Sequence, residues 1–287
     1  MTHTNTGWLY GFIGVVIFAG SLPATRLGVI DFSPEFMTFA RASIAGIIGL
    51  ALLIYTHQKK PNKPQLKSLF LTGCGVVVGF PLLTAFALET ISSARAIVFI
   101  GMLPLSTAIF AVLRANEKPK PLFWLFAVLG SLCVALFMLT QSTDHLLHIG
   151  DVYMIAAILI CGLGYAEGGQ LAKELGGWQV ICWALALYLP VMLLFSIFTA
   201  PTHLSQVSNS SILSLLYVAL FSSLIGFYFW YKGLALGGIA QVGQIQLVQP
   251  FLGFVLSAWL LHETISLQMI MVSFAVIICV AFAKRYA

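Results

Sequence analysis

Residues 94–119 read ARAIVFIGMLPLSTAIFAVLRANEKP, and residues 240–264 read AQVGQIQLVQPFLGFVLSAWLLHET. Each is an apolar run with a proline at its centre and a glutamate at its exit. Pro104 and Glu117 are 13 residues apart, as are Pro250 and Glu263. A shift of 146 residues superposes both pairs and also sets Leu88 on Leu234 and Ala94 on Ala240. A shift of 144 pairs Gly20 with Gly164, so a residue or two was gained or lost between the copies. The chain therefore reads as two tandem halves, residues 1–143 and 144–287.

Of the 287 residues, 60% are hydrophobic and 8% charged, where soluble domains run near ~25% charged. A soluble chain of this composition could not cover its own surface. A transmembrane helix needs about 20 mostly apolar residues. Such runs fall at 8–29, 34–55, 67–89, 93–114, 121–140, 150–172, 177–199, 210–232, 238–261 and 267–284. The first is too long for a cleaved signal, and nine more follow it. Strands of a membrane barrel would alternate apolar and polar residues; SIAGIIGLALLI at 43–54 does not. The expected fold is an all-α membrane protein of ten transmembrane helices, five in each half. Because five is odd, the second half enters the membrane from the opposite face. The halves are then inverted repeats, an arrangement found in many secondary transporters.

The net charge of +5 follows a topological pattern and does not call for an acidic partner such as nucleic acid. With the N-terminus inside, the inner face holds Lys59, Lys60, Lys63, Lys67, Arg114, Lys118, Lys120, Lys173, Lys232, Lys284 and Arg285, 11 of the 14 Lys and Arg. Asp31, Glu35, Asp144 and Asp151 fall outside. The partners implied are a small-molecule solute and the lipid bilayer, with no obligate protein partner evident. Both termini are expected in the cytoplasm, and short loops with a basic inner face fit a bacterial inner membrane. Cys74, Cys133, Cys161, Cys182 and Cys279 all lie within spans, lack metal-ligand spacing and read as packing residues.

The two Pro-to-Glu segments, 104–117 and 250–263, together with LPATRLGVIDFSPEFMTFAR at 22–41, resemble the drug/metabolite transporter superfamily in its ten-span EamA-type branch. The resemblance covers nearly the whole chain. It implies a transporter that moves small organic solutes, often amino acids or other metabolites, outward.

Transporter sites sit near the midplane, where Gly or Pro interrupts a helix. FAGSLPATR offers Gly20 and Pro23 in the first span; CGLGYAEGGQ offers Gly162, Gly164, Gly168 and Gly169 in the sixth. The glycines serve equally for close helix packing. An ionisable residue at a span centre costs ~2.5–3.5 kcal/mol, which singles out Glu167. It is a candidate for a cationic or zwitterionic substrate or for proton coupling, or else a structural partner for a buried Arg or Lys. Arg41, seven residues into the second span, is a candidate for a substrate carboxylate or a snorkelling side chain. Arg26 and Arg95 lie nearer the outer boundary, and Glu89 with Arg95 reads as an outer salt bridge. Glu117 and Glu263, at span ends, are expected to hold helix-end geometry. At ~100° per residue, Gln241, Gln244 and Gln249 share a face before Pro250, lining the solute path or gluing helices together; Gln246 belongs to the same run. Tyr165, Tyr228 and Trp230 are candidate aromatic contacts, though most membrane aromatics are belt or lipid-facing residues. Trp8, Trp124 and Trp178 begin spans and read as belt anchors.

No P-loop, H-E-x-x-H, G-x-S-x-G or acidic metal cluster is present, so neither direct ATP use nor a metal or other cofactor is expected. An intramembrane enzyme would need a carboxylate or His pair at the midplane. His3, His57, His145, His148, His203 and His262 lie at the N-terminus, in loops or at span ends. Two alternatives to a metabolite exporter stand: a facilitator or channel, and a multidrug or organic-cation exporter of the same fold.

Overall fold

A computed structural model of the chain describes residues 3–141, 148–203 and 206–285, and every regular element among them is helical. Asp144 and His145 lie outside the described residues, as do the side chains of His3, Lys284 and Arg285. Among the described residues, eight segments are long and apolar enough to cross a membrane: Asn5–Gly28, Pro34–Tyr55, Lys63–Thr90, Ser93–Ala115, Ile149–Leu175, Gly177–Phe198, Asn209–Gly237 and Ile239–Leu261. The helix Pro121–Gln141 lies between the fourth and fifth of these, and the helix Leu267–Arg285 follows the last. Both have shorter apolar stretches, Pro121–Gly130 and Leu267–Cys279. These ten helices are called spans 1 to 10 in chain order.

Local chemistry sets their ends. Ser33 caps span 2, its hydroxyl accepting from Phe36 N at 3.1 Å, and Pro34 occupies the first turn, where a missing N–H costs nothing. Asn62 and Gln65 form a reciprocal capping box at the start of span 3. Ser92 and Ser208 cap spans 4 and 8. Spans 4 and 9 both stop on a left-handed residue, Asn116 (φ 53°) and His262 (φ 52°), which the 146-residue shift superposes. Gly238, at φ 88°, joins span 8 to span 9 with no intervening loop.

The spans are interrupted in repeat-related places. Span 4 breaks at Gly101 and Met102, between helices Ser93–Ile100 and Leu103–Ala115, and Pro104 stands in the first turn of the second piece. Span 9 changes to a 3₁₀ stretch at Gln244–Val248, and Pro250 stands in the first turn that follows. Span 3 carries a π-helical stretch at Cys74–Gly79 and span 8 another at Tyr217–Gly226. Span 1 breaks at Gly20, between His3–Ala19 and Ser21–Gly28. Span 6 does not break. Ile149–Leu175 is one continuous helix of 27 residues, which corrects the expected interruption at CGLGYAEGGQ. Its glycines serve packing: a Cβ at Gly164 would lie 2.8 Å from Val76, and one at Gly168 would lie 2.4 Å from the Tyr231 ring.

The main packing runs between halves. Span 1 lies on span 8 and span 6 on span 3; span 4 lies on span 6 and span 1 on span 9; span 2 lies on span 7 and span 5 on span 10. Exchanging the halves turns each of these pairings into another of the set or into itself. Glu117, at the exit of span 4, accepts hydrogen bonds from Ile239 N (3.0 Å) and Ala240 N (2.9 Å) at the entry of span 9. Glu263, at the exit of span 9, accepts from Ser93 N (3.0 Å) and Ala94 N (2.8 Å) at the entry of span 4. Spans 4 and 9 therefore run antiparallel, each ending where the other begins. Large apolar side chains such as Ile54, Leu113, Phe198 and Trp259 stand on the outside, as a lipid-facing surface requires.

Candidate substrate cavity

A narrow cavity of about 20 Å³, room for little more than one water molecule, lies among spans 1, 2, 3, 4, 6, 8 and 9. Its polar lining is Ser21, Thr25, Arg41, Thr84, Ser222 and Gln249; Phe18, Tyr165 and Phe227 supply aromatic surface. The break at Gly20 starts the short helix that carries Ser21 and Thr25, and Pro23 is buried in that helix's first turn. Gly20 itself packs under Tyr217, whose hydroxyl donates to the Ile17 carbonyl at 2.7 Å. A Cβ at Gly20 would lie 2.5 Å from that hydroxyl oxygen.

Arg41 is 6% exposed. Its Nε donates to Ser223 Oγ at 2.9 Å and its Nη2 to Ser222 Oγ at 3.1 Å. Ser222 Oγ also accepts from Ser21 Oγ at 2.8 Å. Both partners of the guanidinium are neutral, and among the described residues no carboxylate pairs with it. A cation so placed is held by hydroxyl dipoles alone and keeps further N–H groups for an anion. The serines belong to the π-helical stretch of span 8, where the wider winding changes which residues share a face.

The amides of span 9, of which Gln249 lines the cavity, are only partly satisfied: Gln244 Nε2 donates to the Ala240 carbonyl at 3.2 Å. Gln244, Gln246 and Gln249 are buried, and Gln244 Oε1, both polar atoms of Gln246 and Gln249 Oε1 have no hydrogen-bond partner. Trp230 Nε1 is likewise buried and unpartnered. Gln249 Nε2 reaches the Phe18 carbonyl at 3.4 Å. The Gln246 amide faces the Tyr165 phenol without completing a hydrogen bond. Tyr165 packs on Trp230 at 5.2 Å and on Phe227 at 6.0 Å between ring centroids. Buried polar atoms rarely stay orphaned; of these residues Gln249 lines the cavity, where its free acceptor suits a polar solute.

Of the residues singled out from sequence, Arg41, Tyr165 and Gln249 line the cavity, Gly20 and Pro23 shape its wall, and Gln244 and Trp230 lie buried close by. Three lie elsewhere. Gln241 is exposed in the first turn of span 9, and the 3₁₀ stretch Gln244–Val248 breaks the ~100° progression that would set it on one face with Gln249; Gln246 is buried instead. Tyr228 lies at the rim of the bundle with Tyr10 and Lys232. Glu167 does not line the cavity: it forms an ion pair with Arg114 between spans 6 and 4. Arg95 pairs with Asp151 and not with Glu89, through Nε–Oδ1 at 2.8 Å and Nη2–Oδ2 at 2.6 Å. Asp151 is fully buried and sits in the first turn of span 6, a better electrostatic position than exposed Glu89. Arg26 donates to the Leu88 carbonyl. The polar residues not foreseen are Ser21, Thr25, Thr84 and Ser222, which line the cavity, and Ser223, which holds Arg41. Small hydroxyls are common in spans and bond their own helix backbone, as Thr25 and Thr84 do here, so nothing in the sequence set them apart.

The EamA-like transporter family model matches residues 5–139 and again residues 148–284. A Bacillus subtilis (strain 168) protein named "Uncharacterized transporter YdeK" is 55% identical over 287 residues, the full length of both chains. A second protein of that organism, "Uncharacterized transporter YyaM", is 23% identical over 265 residues, 90% of this chain and 86% of its own. A solved structure described only as "Crystal structure of protein" superposes with a TM-score of 0.72 over 98% of this chain and 97% of that one, at 17% identity; this likeness is one of fold.

Proposed function

Since the chain belongs to the EamA-like transporter family, we propose that it is a secondary-active transporter that carries a small organic solute bearing a carboxylate, amino acids among them, outward by alternating access. Arg41 carries this reading. It is a buried guanidinium in a cavity wall, held by two serines and, among the described residues, opposed by no acid. A carboxylate would complete it in bidentate fashion, while the unpartnered Oε1 of Gln249 would accept from a donor of the solute.

The narrowness of the cavity supports alternating access over a continuous pore, and so does the exchange of partners between two halves of opposite sense. The Arg114 partner of Glu167 leaves less support for an organic-cation exporter. We place the lysine-rich face in the cytoplasm of a bacterial cell.

Purified protein in proteoliposomes tests the reading. A labelled amino-acid mixture should show saturable counterflow, stimulated by unlabelled solute on the opposite side and lost in Arg41→Gln. Flux without trans-stimulation would indicate a pore. A thermal-shift screen in which organic cations stabilise the protein and carboxylates do not would overturn the assignment of substrate class.

A further inference from the structure

Tyr228 and Lys232 lie on span 8 away from the solute cavity, in a seam that spans 2 and 7 complete. Two adjoining hollows share Trp178 and Tyr228. One, of 320 Å³, is a groove between spans 2, 7 and 8 whose wall includes Leu52, Ile181 and Leu224. The other, of 370 Å³, lies at the end of the bundle where span 6 turns into span 7, and Lys232 and Gln179 line it. Span 7 meets span 8 closely there because its first residue is glycine: a Cβ on Gly177 would lie 2.5 Å from Lys232 N.

The polar hollow has unmet bonding capacity of two kinds. Lys232 Nζ donates to Tyr10 Oη at 2.9 Å and lies 4.2 Å from the Tyr10 ring centroid. Among the described residues it has no carboxylate partner. Gln179 Nε2 reaches Gln58 Oε1 at 3.4 Å, while Gln179 Oε1 is buried with no donor. Gln58 is followed in the chain by Lys59, Lys60, Lys63 and Lys67, and Lys173 is close by; against them stands Glu174, which accepts from Gln65 Nε2 at 3.2 Å, so the balance of formal charge at this end is basic. Trp178 and Tyr228, at the junction of the hollows, have the amphipathic character of residues at headgroup depth. An apolar slot that opens into a basic, hydroxyl-seeking pocket at the membrane boundary has the chemistry of an anionic lipid site.

We propose that this seam holds one anionic phospholipid, its phosphate on Lys232, a headgroup hydroxyl donating to Gln179 Oε1, and an acyl chain in the groove between spans 2, 7 and 8. The occupant is a lipid and not free phosphate, because the groove offers surface that only a chain would cover.

The test uses the full-length protein in phosphatidylcholine bilayers doped with brominated-chain phosphatidylglycerol or brominated-chain phosphatidylcholine. Trp178 emission is isolated by subtraction of Trp178→Phe. The glycerol lipid should quench it with a preference of about fivefold, the selectivity one lysine supplies near a membrane surface. Lys232→Gln should abolish the preference, Lys232→Arg should keep it, and inorganic phosphate should not displace the lipid. Equal quenching of the wild type by the two lipids overturns the proposal without recourse to any variant. A preference unchanged in folded Lys232→Gln, or removed by inorganic phosphate, overturns it as well.

Discussion

Glu117 and Glu263, 146 positions apart, each hold the first turn of the helix that the other one ends. Each carboxylate accepts two backbone N–H groups that would otherwise be orphaned, and its charge meets the positive end of the helix dipole. Two homologous segments are thereby tied head to tail at opposite faces of the bundle.

Glu117→Ala and Glu263→Ala should each lower stability by about 1–3 kcal/mol, the cost of leaving buried donors unpaired. The sites lie at opposite ends of two spans and share no partner, so the double variant should show the sum of the losses. Thermal unfolding in detergent checks this; a double variant no worse than either single one would mean that the two caps act as a unit.

Arg41 and Arg95 should respond oppositely to neutralisation. Arg95→Gln strands fully buried Asp151 and should cost about 3–5 kcal/mol. Arg41→Gln strands only serine hydroxyls, so its thermal midpoint should hold or rise while counterflow is lost. A large loss of stability in Arg41→Gln would show that the guanidinium is structural.

The pair Arg114–Glu167 is asymmetric: Arg114 is 43% exposed and Glu167 6%. Arg114→Gln leaves a buried carboxylate alone, whereas Glu167→Gln leaves a cation that water reaches. The arginine variant should therefore unfold at the lower temperature. Proton coupling through Glu167 would make Glu167→Gln flatten the pH dependence of counterflow. An unchanged pH profile removes Glu167 from the coupling.

Asp31, in the loop between spans 1 and 2, accepts from Ser208 N at 3.0 Å and from Ser211 Oγ at 2.8 Å at the entry of span 8. Hydrogen bonds from Ser208, then Ser211, hold its carboxyl below the ordinary value of 3.8. A depressed carboxylate stabilises the fold fully above its unfolded value, and the contribution is lost as pH falls through the folded value. Wild type should lose thermal stability as pH falls below about 4. Asp31→Asn should start lower at neutral pH and lose less on acidification; parallel pH profiles for the two would contradict the assignment.

What could be read in advance followed from one-dimensional signals. Pro104, Glu117, Pro250 and Glu263 disclosed the repeat because a proline in the first turn of a restarted helix and an acid at a helix exit each do a local job. Span 6 misled because glycine serves both a break and a close approach, and the deciding neighbours, Val76 and Tyr231, are remote in sequence. The same holds for Arg95: Glu89 is six positions away, yet the partner is Asp151, 56 positions on. Gln246 is buried and Gln241 exposed, which an even ~100° winding does not yield and which goes with the 3₁₀ stretch Gln244–Val248. The π-helical turns that place Ser222 and Ser223 have no compositional mark.

The interleaving of the halves bears on biosynthesis. Span 1 has its glycine seam, Gly7 and Gly11, against Gly237 and Gly233 of span 8, so during synthesis the first half emerges with its contact faces open and waits for partners not yet made. Domains usually fold in order as they emerge; here the first five helices make part of their contacts among themselves, and their larger ones only once the second five arrive. A chain cut after span 5 lacks those partners and should be cleared by membrane proteases in a cell that retains the full-length protein.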